Sequence, residues 1–147
     1  MSPSTPSSKK AGFPPVSPSI ITATKVLSIV RVAIGGACFF APQLTCSLHN
    51  YHVPAPYLLF VRMMGAREAI NGALLYTARD ENENDGGRRS IRRALWVGLI
   101  ADSTDILSLS YAYIMGEAGA AIAGVTGAGA VGAITLAAVM LRRLQPI

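Results

Sequence analysis

Long apolar blocks separated by short polar segments dominate the pattern of this sequence. The first block runs from about Ile21 to Ala41 and stops at Pro42, which cannot continue a helix. The second runs from about Tyr57 to Ala78. Each is close to the ~20 residues that a helix needs to cross ~30 Å of hydrocarbon. The pattern therefore predicts helices of membrane-spanning length.

The second half of the chain contains an apolar run that is too long for one crossing. Ser90 is the expected N-cap of this run, which reaches nearly to Arg142. Gly116 and Glu117 form the best break within it. The four predicted spans are about residues 21–41, 57–78, 91–115 and 118–141.

Residues 1–19 are rich in Ser and Pro and end where the first apolar block begins. A segment of this composition cannot bury enough apolar surface to fold by itself, so we expect a disordered N-terminal tail. Residues 20–147 are the expected transmembrane domain.

Basic residues near the span ends fall on only one side of the four-span arrangement. The loop from Gln43 to Pro56 and the turn at Glu117 contain no Lys or Arg. Because cytoplasmic loops carry the excess of basic residues, the sequence predicts an all-α bundle of four transmembrane helices with both termini in the cytoplasm. The basic residues on that side are Lys9, Lys10, Arg79, Arg88, Arg89, Arg92, Arg93, Arg142 and Arg143.

The composition agrees with a membrane protein, since 51% of the residues are hydrophobic and only 14% are charged. The net charge of +5 comes mostly from residues beside the apolar blocks rather than from a polar helix face, so we expect no nucleic-acid partner. Basic flanks favour the anionic headgroups of membrane lipids.

Seven ionisable residues lie within the apolar blocks and carry most of the functional information. A charge at mid-bilayer costs ~2.5–3.5 kcal/mol on insertion scales, so such residues normally face the bundle interior and pair there. Lys25 is the exception, because it is close enough to the cytoplasmic end for its amine to reach the interface. The seven residues are Lys25, Arg31, Arg62, Arg67, Glu68, Asp102 and Asp105.

A rise of ~1.5 Å per residue places these charges at two depths. Arg62 and Asp105 match each other at ~21–22 Å from the cytoplasmic face and form an expected second layer. Asp102 shares a helix face with Asp105, three residues on, and Asn71 follows Glu68 by the same spacing. The remaining charges lie near the midplane, ~15–17 Å from one face or the other: Arg31, Arg67, Glu68 and Asp102.

The sequence gives no pattern typical of a metal or cofactor site. His49 and His52 are three residues apart, but they lie on a short loop with only Cys46 nearby, so we expect ordinary loop histidines. Cys38 and Cys46 form no C-x-x-C pair and are expected to be free thiols. No phosphate-binding loop or dinucleotide fingerprint occurs. We therefore predict no metal and no cofactor.

The fourth apolar block has small residues at four-residue spacing, a pattern that lets helices approach closely. The pattern leaves two uses open, namely tight packing against neighbouring helices of the same chain, or contact with a second copy or a partner subunit. The residues are Ala120, Gly124, Ala128 and Gly132, with Gly119, Ala123 and Gly127 on the adjacent row.

Short motifs in the first three blocks resemble a known family. They are Arg31 with Gly35 and Ala41-Pro42, then Val61-Arg62-Met63-Met64-Gly65-Ala66-Arg67-Glu68 leading to Gly72, then Arg92-Arg93-Ala94 with Ala101-Asp102 and Asp105. With them the chain resembles the small four-helix membrane proteins of the family called domain of unknown function 4267, over roughly Val26 to Leu141. The resemblance implies a fold but no settled activity.

Members of that family occur in bacteria and in filamentous fungi, and the Ser/Pro tail resembles a fungal extension. The resemblance implies a role in a natural-product pathway. The expected location is then the endoplasmic reticulum or another endomembrane.

The intramembrane charges suit a cofactor-free enzyme that acts on a lipophilic polyketide or terpenoid by acid–base catalysis. A carboxylic acid in low dielectric can donate a proton, while a carboxylate paired with Arg stays ionised. Opening an epoxide, or cyclising or isomerising a polyene, needs such an acid. Arg67 or Arg31 would hold one carboxylate ionised, and Asn71 or Tyr111 would orient the nucleophile. Three carboxylates could share the acid and base roles: Asp102, Asp105 and Glu68.

Three other interpretations of the sequence remain open. Intramembrane carboxylates and arginines also build the ion pathways of proton-coupled carriers, although four spans with no inverted repeat make a lone carrier a weaker fit. The chain could instead be a non-catalytic accessory subunit that uses its fourth span as the contact surface. The charges could also serve only to fix the register of the bundle.

Overall fold

Helices make up the fold throughout the part of the chain that the computed structural model describes, and no strand occurs there. The structure describes residues 16–48, 51–78 and 87–144, without the side chains at positions 121–123 and 125. The elements are α1 (Pro18–Phe40), α2 (Pro42–Leu48), a 3-10 turn (Ala55–Tyr57), α3 (Leu58–Thr77), α4 (Arg88–Ile114) and α5 (Ala120–Arg143). The all-α prediction is confirmed for these residues.

The four long helices α1, α3, α4 and α5 cover the four predicted apolar blocks. The break in the long second run is confirmed, because α4 ends at Ile114 and Gly116 adopts a φ of 75°. Pro42, which ends α1, is also the first residue of α2, a position where its missing N–H costs nothing. The loop was predicted to run from Gln43 to Pro56, so the helix α2 over its first residues is a correction.

Two other boundaries differ from the prediction. Ser90 is not the N-cap of α4, because the helix begins at Arg88 and Gly87 precedes it with a φ of 75°. Pro18 and Ser19, predicted as the end of the disordered tail, already belong to α1. Pro at the first helical turn explains the earlier start, since its fixed φ suits a helix. Residues 1–15 of the predicted tail lie outside the described residues.

Helices α1 and α3 pack antiparallel at unusually short range. A Cβ added to Gly65 would lie 2.6 Å from the carbonyl oxygen of Gly35, so the two backbones meet at this pair. One end of the contact is held by Ser28, whose hydroxyl donates a hydrogen bond of 2.7 Å to the carbonyl oxygen of Gly72. A Cβ at Gly72 would lie 2.8 Å from the carbonyl oxygen of Ser28. Only glycine permits this approach.

The bundle consists of two helix pairs, α1 with α3 and α4 with α5, joined by a smaller contact between α3 and α4. Their shared hydrophobic core lies at one end of the bundle, which we call the closed end. At this end Arg88 links the start of α4 to the end of α5, because its guanidinium donates a 3.3 Å hydrogen bond to the carbonyl oxygen of Leu144. The core consists of Val16, Ile20, Leu27, Leu75, Ala78, Ile91, Leu95, Ala137, Met140, Leu141 and Leu144.

Large apolar side chains face outward on all four long helices, while the charged side chains of Arg31 and Asp102 are buried inside the bundle. Examples of exposed positions are Ile29 on α1, Phe60 on α3, Ile100 on α4 and Val131 on α5. This arrangement inverts the polarity of a water-soluble bundle.

Among the described residues, α1 is the one helix that is long and apolar enough to be a candidate membrane span. The core helix of a soluble protein or a signal sequence would meet the same criterion. Helix α3 falls short because it contains Arg62, Arg67 and Glu68, and α4 contains Asp102 and Asp105. The charges that give the bundle its polar interior therefore also lower the hydropathy of its helices.

We expect Gly35→Ala to weaken the fold far more than Gly36→Ala. A methyl group at Gly35 would lie 2.5 Å from the carbonyl oxygen of Gly65, whereas one at Gly36 would meet no atom within 4 Å. Thermal unfolding in detergent micelles should show a lower midpoint for Gly35→Ala. The midpoint of Gly36→Ala should be unchanged or higher, because Ala favours a helix over Gly by ~1 kcal/mol. Equal midpoints would contradict the close contact between α1 and α3.

Candidate functional site

Arg31 on α1 links two carboxylates that belong to two other helices. Its Nη1 donates a hydrogen bond of 2.6 Å to Oε2 of Glu68 on α3, and its Nη2 donates to Oδ2 of Asp102 on α4. The side chains of Arg31 and Asp102 are only 7% and 6% exposed. One planar guanidinium thus holds three helices together through charge-assisted hydrogen bonds.

Arg67 on α3 makes a second, forked contact with α4. Its Nη1 and Nη2 donate to the two carboxylate oxygens of Asp105 at 2.9 and 2.5 Å. Its Nη2 also lies 3.6 Å from Oε1 of Glu68. Two guanidinium groups and three carboxylates therefore alternate in one continuous network, which we call the charge cluster: Asp102, Arg31, Glu68, Arg67 and Asp105.

The helix positions explain why these side chains meet. Asp102 and Asp105 are three residues apart on α4, so both carboxylates point to the same side of that helix. The close contact of α1 with α3 sets Arg31 opposite Glu68. Gly98, one helical turn before Asp102, faces the guanidinium, since a Cβ there would make an ordinary van der Waals contact of 3.5 Å with Nη2 of Arg31.

Three predicted site residues lie outside the charge cluster. Arg62 is exposed and forms no ion pair among the described residues, and Asp105, its expected partner, pairs with Arg67 instead. Tyr111 is 63% exposed and does not line the cavity described next. Asn71 is buried beside Arg31, at a small void toward the closed end, and its Nδ2 has no hydrogen-bond partner among the described residues.

A cavity of about 780 Å³ lies between α1, α3, α4 and α5, with the whole charge cluster on its wall. Its volume is within the ~300–1,000 Å³ typical of small-molecule sites. Most of the remaining lining is apolar, and includes Val30 and Ile34 on α1, Met64 on α3 and Leu109 on α4. The site thus combines an apolar chamber with a few concentrated charges.

Small residues of α5 create part of this space. Gly129, Gly132 and Ala133 line the cavity, and a Cβ added to either glycine would meet no atom within 4 Å. On the described part of α5, the closest approach at any glycine is at Gly127, where an added Cβ would lie 3.7 Å from Cδ2 of Leu109. Tight packing of the fourth span within the chain was one expectation. The tight glycine contacts lie instead between α1 and α3.

The three carboxylates of the charge cluster also have the spacing of a cation site. One oxygen from each of Glu68, Asp102 and Asp105 lies within 4.8 Å of the others, a grouping that the sequence prediction of no metal did not include. The same carboxylates already accept hydrogen bonds from Arg31 and Arg67. A cation would have to compete with both guanidinium groups, so the donor set fits a resident metal poorly.

The structure describes three of the four histidines and cysteines considered in the sequence. His52 is exposed, and His49 lies outside the described residues. Cys38 and Cys46 are both free thiols. Cys38 lines the cavity, whereas Cys46 lies on α2.

No family model matches the chain, and neither a curated protein nor a solved structure is significantly similar to it. The resemblance to domain of unknown function 4267 thus stays a prediction.

We expect Arg31→Gln to destabilise the protein by about 3–5 kcal/mol, the usual cost of removing one partner from a buried ion pair. The change would leave the buried carboxylate of Asp102 and the partly buried carboxylate of Glu68 without the cation that now binds both. Arg62→Gln is the matched control, because Arg62 is exposed. Its effect should be within about 0.5 kcal/mol.

Reversible unfolding of both variants in mixed micelles would give the two free energies. A similar loss of unfolding free energy in Arg31→Gln and Arg62→Gln would contradict the central position of Arg31.

Proposed function

We propose that this chain is a multi-pass membrane protein whose four long helices cross the bilayer of an endomembrane, with both termini in the cytoplasm. The outward-facing apolar side chains and the charged interior support this proposal, because a bilayer rewards that inverted polarity. The basic residues support the orientation, since Arg92 and Arg93 lie near the start of α4 and Arg142 and Arg143 lie in the last turn of α5, at the closed end.

Within the membrane the protein acts as a cofactor-free acid–base enzyme on a lipophilic polyketide or terpenoid. The observation that carries this proposal is the cavity of about 780 Å³, which has the charge cluster on its wall and a mostly apolar lining elsewhere. Ion pairs that served only to hold helices together would pack without such a chamber beside them. A chamber of this size accommodates a molecule of drug-like dimensions.

The charge cluster has the composition that acid–base catalysis needs. It contains three carboxylates and two guanidinium groups, so its electrically neutral form holds one proton on a carboxyl group. That carboxylic acid is the proton donor, and a carboxylate held by Arg31 or Arg67 is the acceptor. Asp105 lies against the cavity together with Glu68, and both face the same chamber as Asp102.

Epoxide opening illustrates the chemistry. The acid gives its proton to the epoxide oxygen as the carbon–oxygen bond breaks. The oxygen of water, or of a hydroxyl group in the substrate, forms the new bond to that carbon. The proton of this nucleophile passes to the carboxylate, which restores the single proton of the cluster. Water gives a diol and an internal hydroxyl gives a ring, so one site serves a hydrolase and a cyclase alike.

The packing of the closed end favours an enzyme over a proton-coupled carrier. Leu95, Met140 and Leu144 are almost completely buried between the charge cluster and that end of the bundle. A carrier would need a route for its solute to both faces, and these side chains fill one of the two routes. No observation specifically favours a non-catalytic accessory subunit.

Asp102→Asn is expected to lower turnover of a lipophilic epoxide by about 10²-fold or more, because it removes one carboxylate from the acid–base set. The assay incubates membranes that contain the protein with trans-stilbene oxide in ¹⁸O-labelled water and measures the labelled diol by mass spectrometry. Glu117→Gln is the matched control, since Glu117 is an exposed acid in the turn before α5 and should leave turnover unchanged.

Full diol formation by Asp102→Asn would remove Asp102 from the mechanism. Diol formation equal to that of membranes without the protein would contradict epoxide opening.

The membrane arrangement gives a separate prediction. After extraction with alkaline carbonate the full chain should stay in the membrane pellet. In sealed microsomes, a C-terminal tag should be accessible to protease from the cytoplasmic side, whereas Cys46 on α2 should react with a membrane-impermeant maleimide only after the membrane is opened. Release of the protein into the carbonate supernatant would contradict four crossings.

A further inference from the structure

The cavity opens sideways between α1 and α5. Helix α1 packs along α3, α3 contacts α4 and α4 packs along α5, but α1 and α5 form no comparable packed pair among the described residues. The four helices therefore make an incomplete ring. The ring closes at the closed end, where Leu27 of α1 and Ala137 of α5 share the hydrophobic core.

Residues on both edges of this gap are exposed and also line the cavity. On α1 they are Val26, Val30 and Ile34, which repeat every four residues along one side of the helix and are 54%, 46% and 53% exposed. On α5 they are Gly129 and Gly132, both exposed. The chamber wall is thus continuous with the outer surface of the bundle.

Polarity divides the chamber between its mouth and its far wall. The edge residues at the mouth are apolar apart from Thr126 on α5, whereas the charge cluster spans α1, α3 and α4. Under the proposed topology the mouth of the cavity faces lipid. A molecule that came from water would therefore have to pass over apolar side chains before it reached the charge cluster. A molecule dissolved in hydrocarbon would meet no barrier until its polar group reached the charges.

We infer that the substrate is a lipophilic molecule dissolved in the hydrocarbon layer, that it enters sideways between α1 and α5, and that Gly129 and Gly132 limit the bulk of its apolar body. This inference rests on the proposed function and adds the substrate's source, its route and the residues that select its size. The polar group of the substrate points to Arg67 and Asp105, and the apolar body lies along α5.

Cys38 provides a reporter that works without turnover, because its thiol is half-buried and lines the cavity. The chain has two cysteines, so Cys38 is the single cysteine that remains in a Cys46→Ser background. The probe is N-phenylmaleimide, compared with analogues whose ring carries a sulfonate or a trimethylammonium group. The protein is reconstituted in phosphatidylcholine vesicles, and the rate of Cys38 modification is followed by mass spectrometry.

N-Phenylmaleimide is expected to modify Cys38 several-fold faster than either charged analogue. The pair of opposite charges ensures that repulsion by the charge cluster alone cannot produce this result. Gly132→Leu should slow the reaction several-fold, because the added side chain grows into open space in the cavity. Gly124→Leu is the matched control, since Gly124 is also a glycine of α5 with no atom within 4 Å of an added Cβ, and it does not line the cavity.

Equal rates for the neutral and charged reagents would overturn entry from the hydrocarbon layer. A Gly132→Leu protein that reacts as fast as Gly124→Leu would overturn the size limit. Faster labelling after phospholipid is replaced by dodecylmaltoside would show that a phospholipid chain occupies the cavity. That result would overturn the inference that the occupant is a lipophilic substrate dissolved in the hydrocarbon layer. Maleimide labelling requires no epoxide opening, so failure of the proposed reaction would leave these results unchanged. The two failures can therefore be distinguished from each other.

Discussion

Arg31 makes the contact on which the arrangement of the other helices depends. Its guanidinium binds Glu68 of α3 and Asp102 of α4, and it is almost completely buried. A cation in such a place is stable only with anions at fixed positions around it. Because Arg31 and its two partners lie on three different helices, this requirement determines how α4 is placed against the pair of α1 and α3. Arg67 then repeats the link through Asp105.

Glycines determine how closely these charges can approach. Gly35 meets Gly65 and Ser28 meets Gly72 along the contact of α1 with α3, so their backbones are near enough for Arg31 to reach Glu68 across it. On α5 the glycines have the opposite effect, because Gly129 and Gly132 face empty space and leave a chamber open. One residue type thus makes the bundle tight on one side and hollow on the other.

Much of this structure follows from local sequence features. Pro42 and Gly116 end helices for reasons of backbone geometry that need no tertiary information. The shared face of Asp102 and Asp105 follows from their spacing, and the common depth of Arg31 and Asp102 follows from the helical rise. Local rules were sufficient for these features because a helix has a fixed rise and period.

Features that depend on helix rotation and packing did not follow from the sequence. Arg62 and Asp105 were predicted to lie at matching depths, yet Arg67 binds Asp105, because depth says nothing about which side of α3 faces α4. Gly87 rather than Ser90 precedes α4. A row of glycines also looks the same whether a neighbouring backbone or a cavity lies opposite it. Only the assembled helices distinguish Gly65 from Gly132.

A double-mutant cycle on Arg31 and Asp102 tests the central contact most directly. It compares the unfolding free energies in mixed micelles of the wild type, Arg31→Met, Asp102→Leu and the double variant. The double variant should be more stable than the sum of the two single losses would allow, with an interaction energy of about 1–3 kcal/mol. Losses that add to within about 0.5 kcal/mol would show that the two side chains do not interact, and would contradict the account.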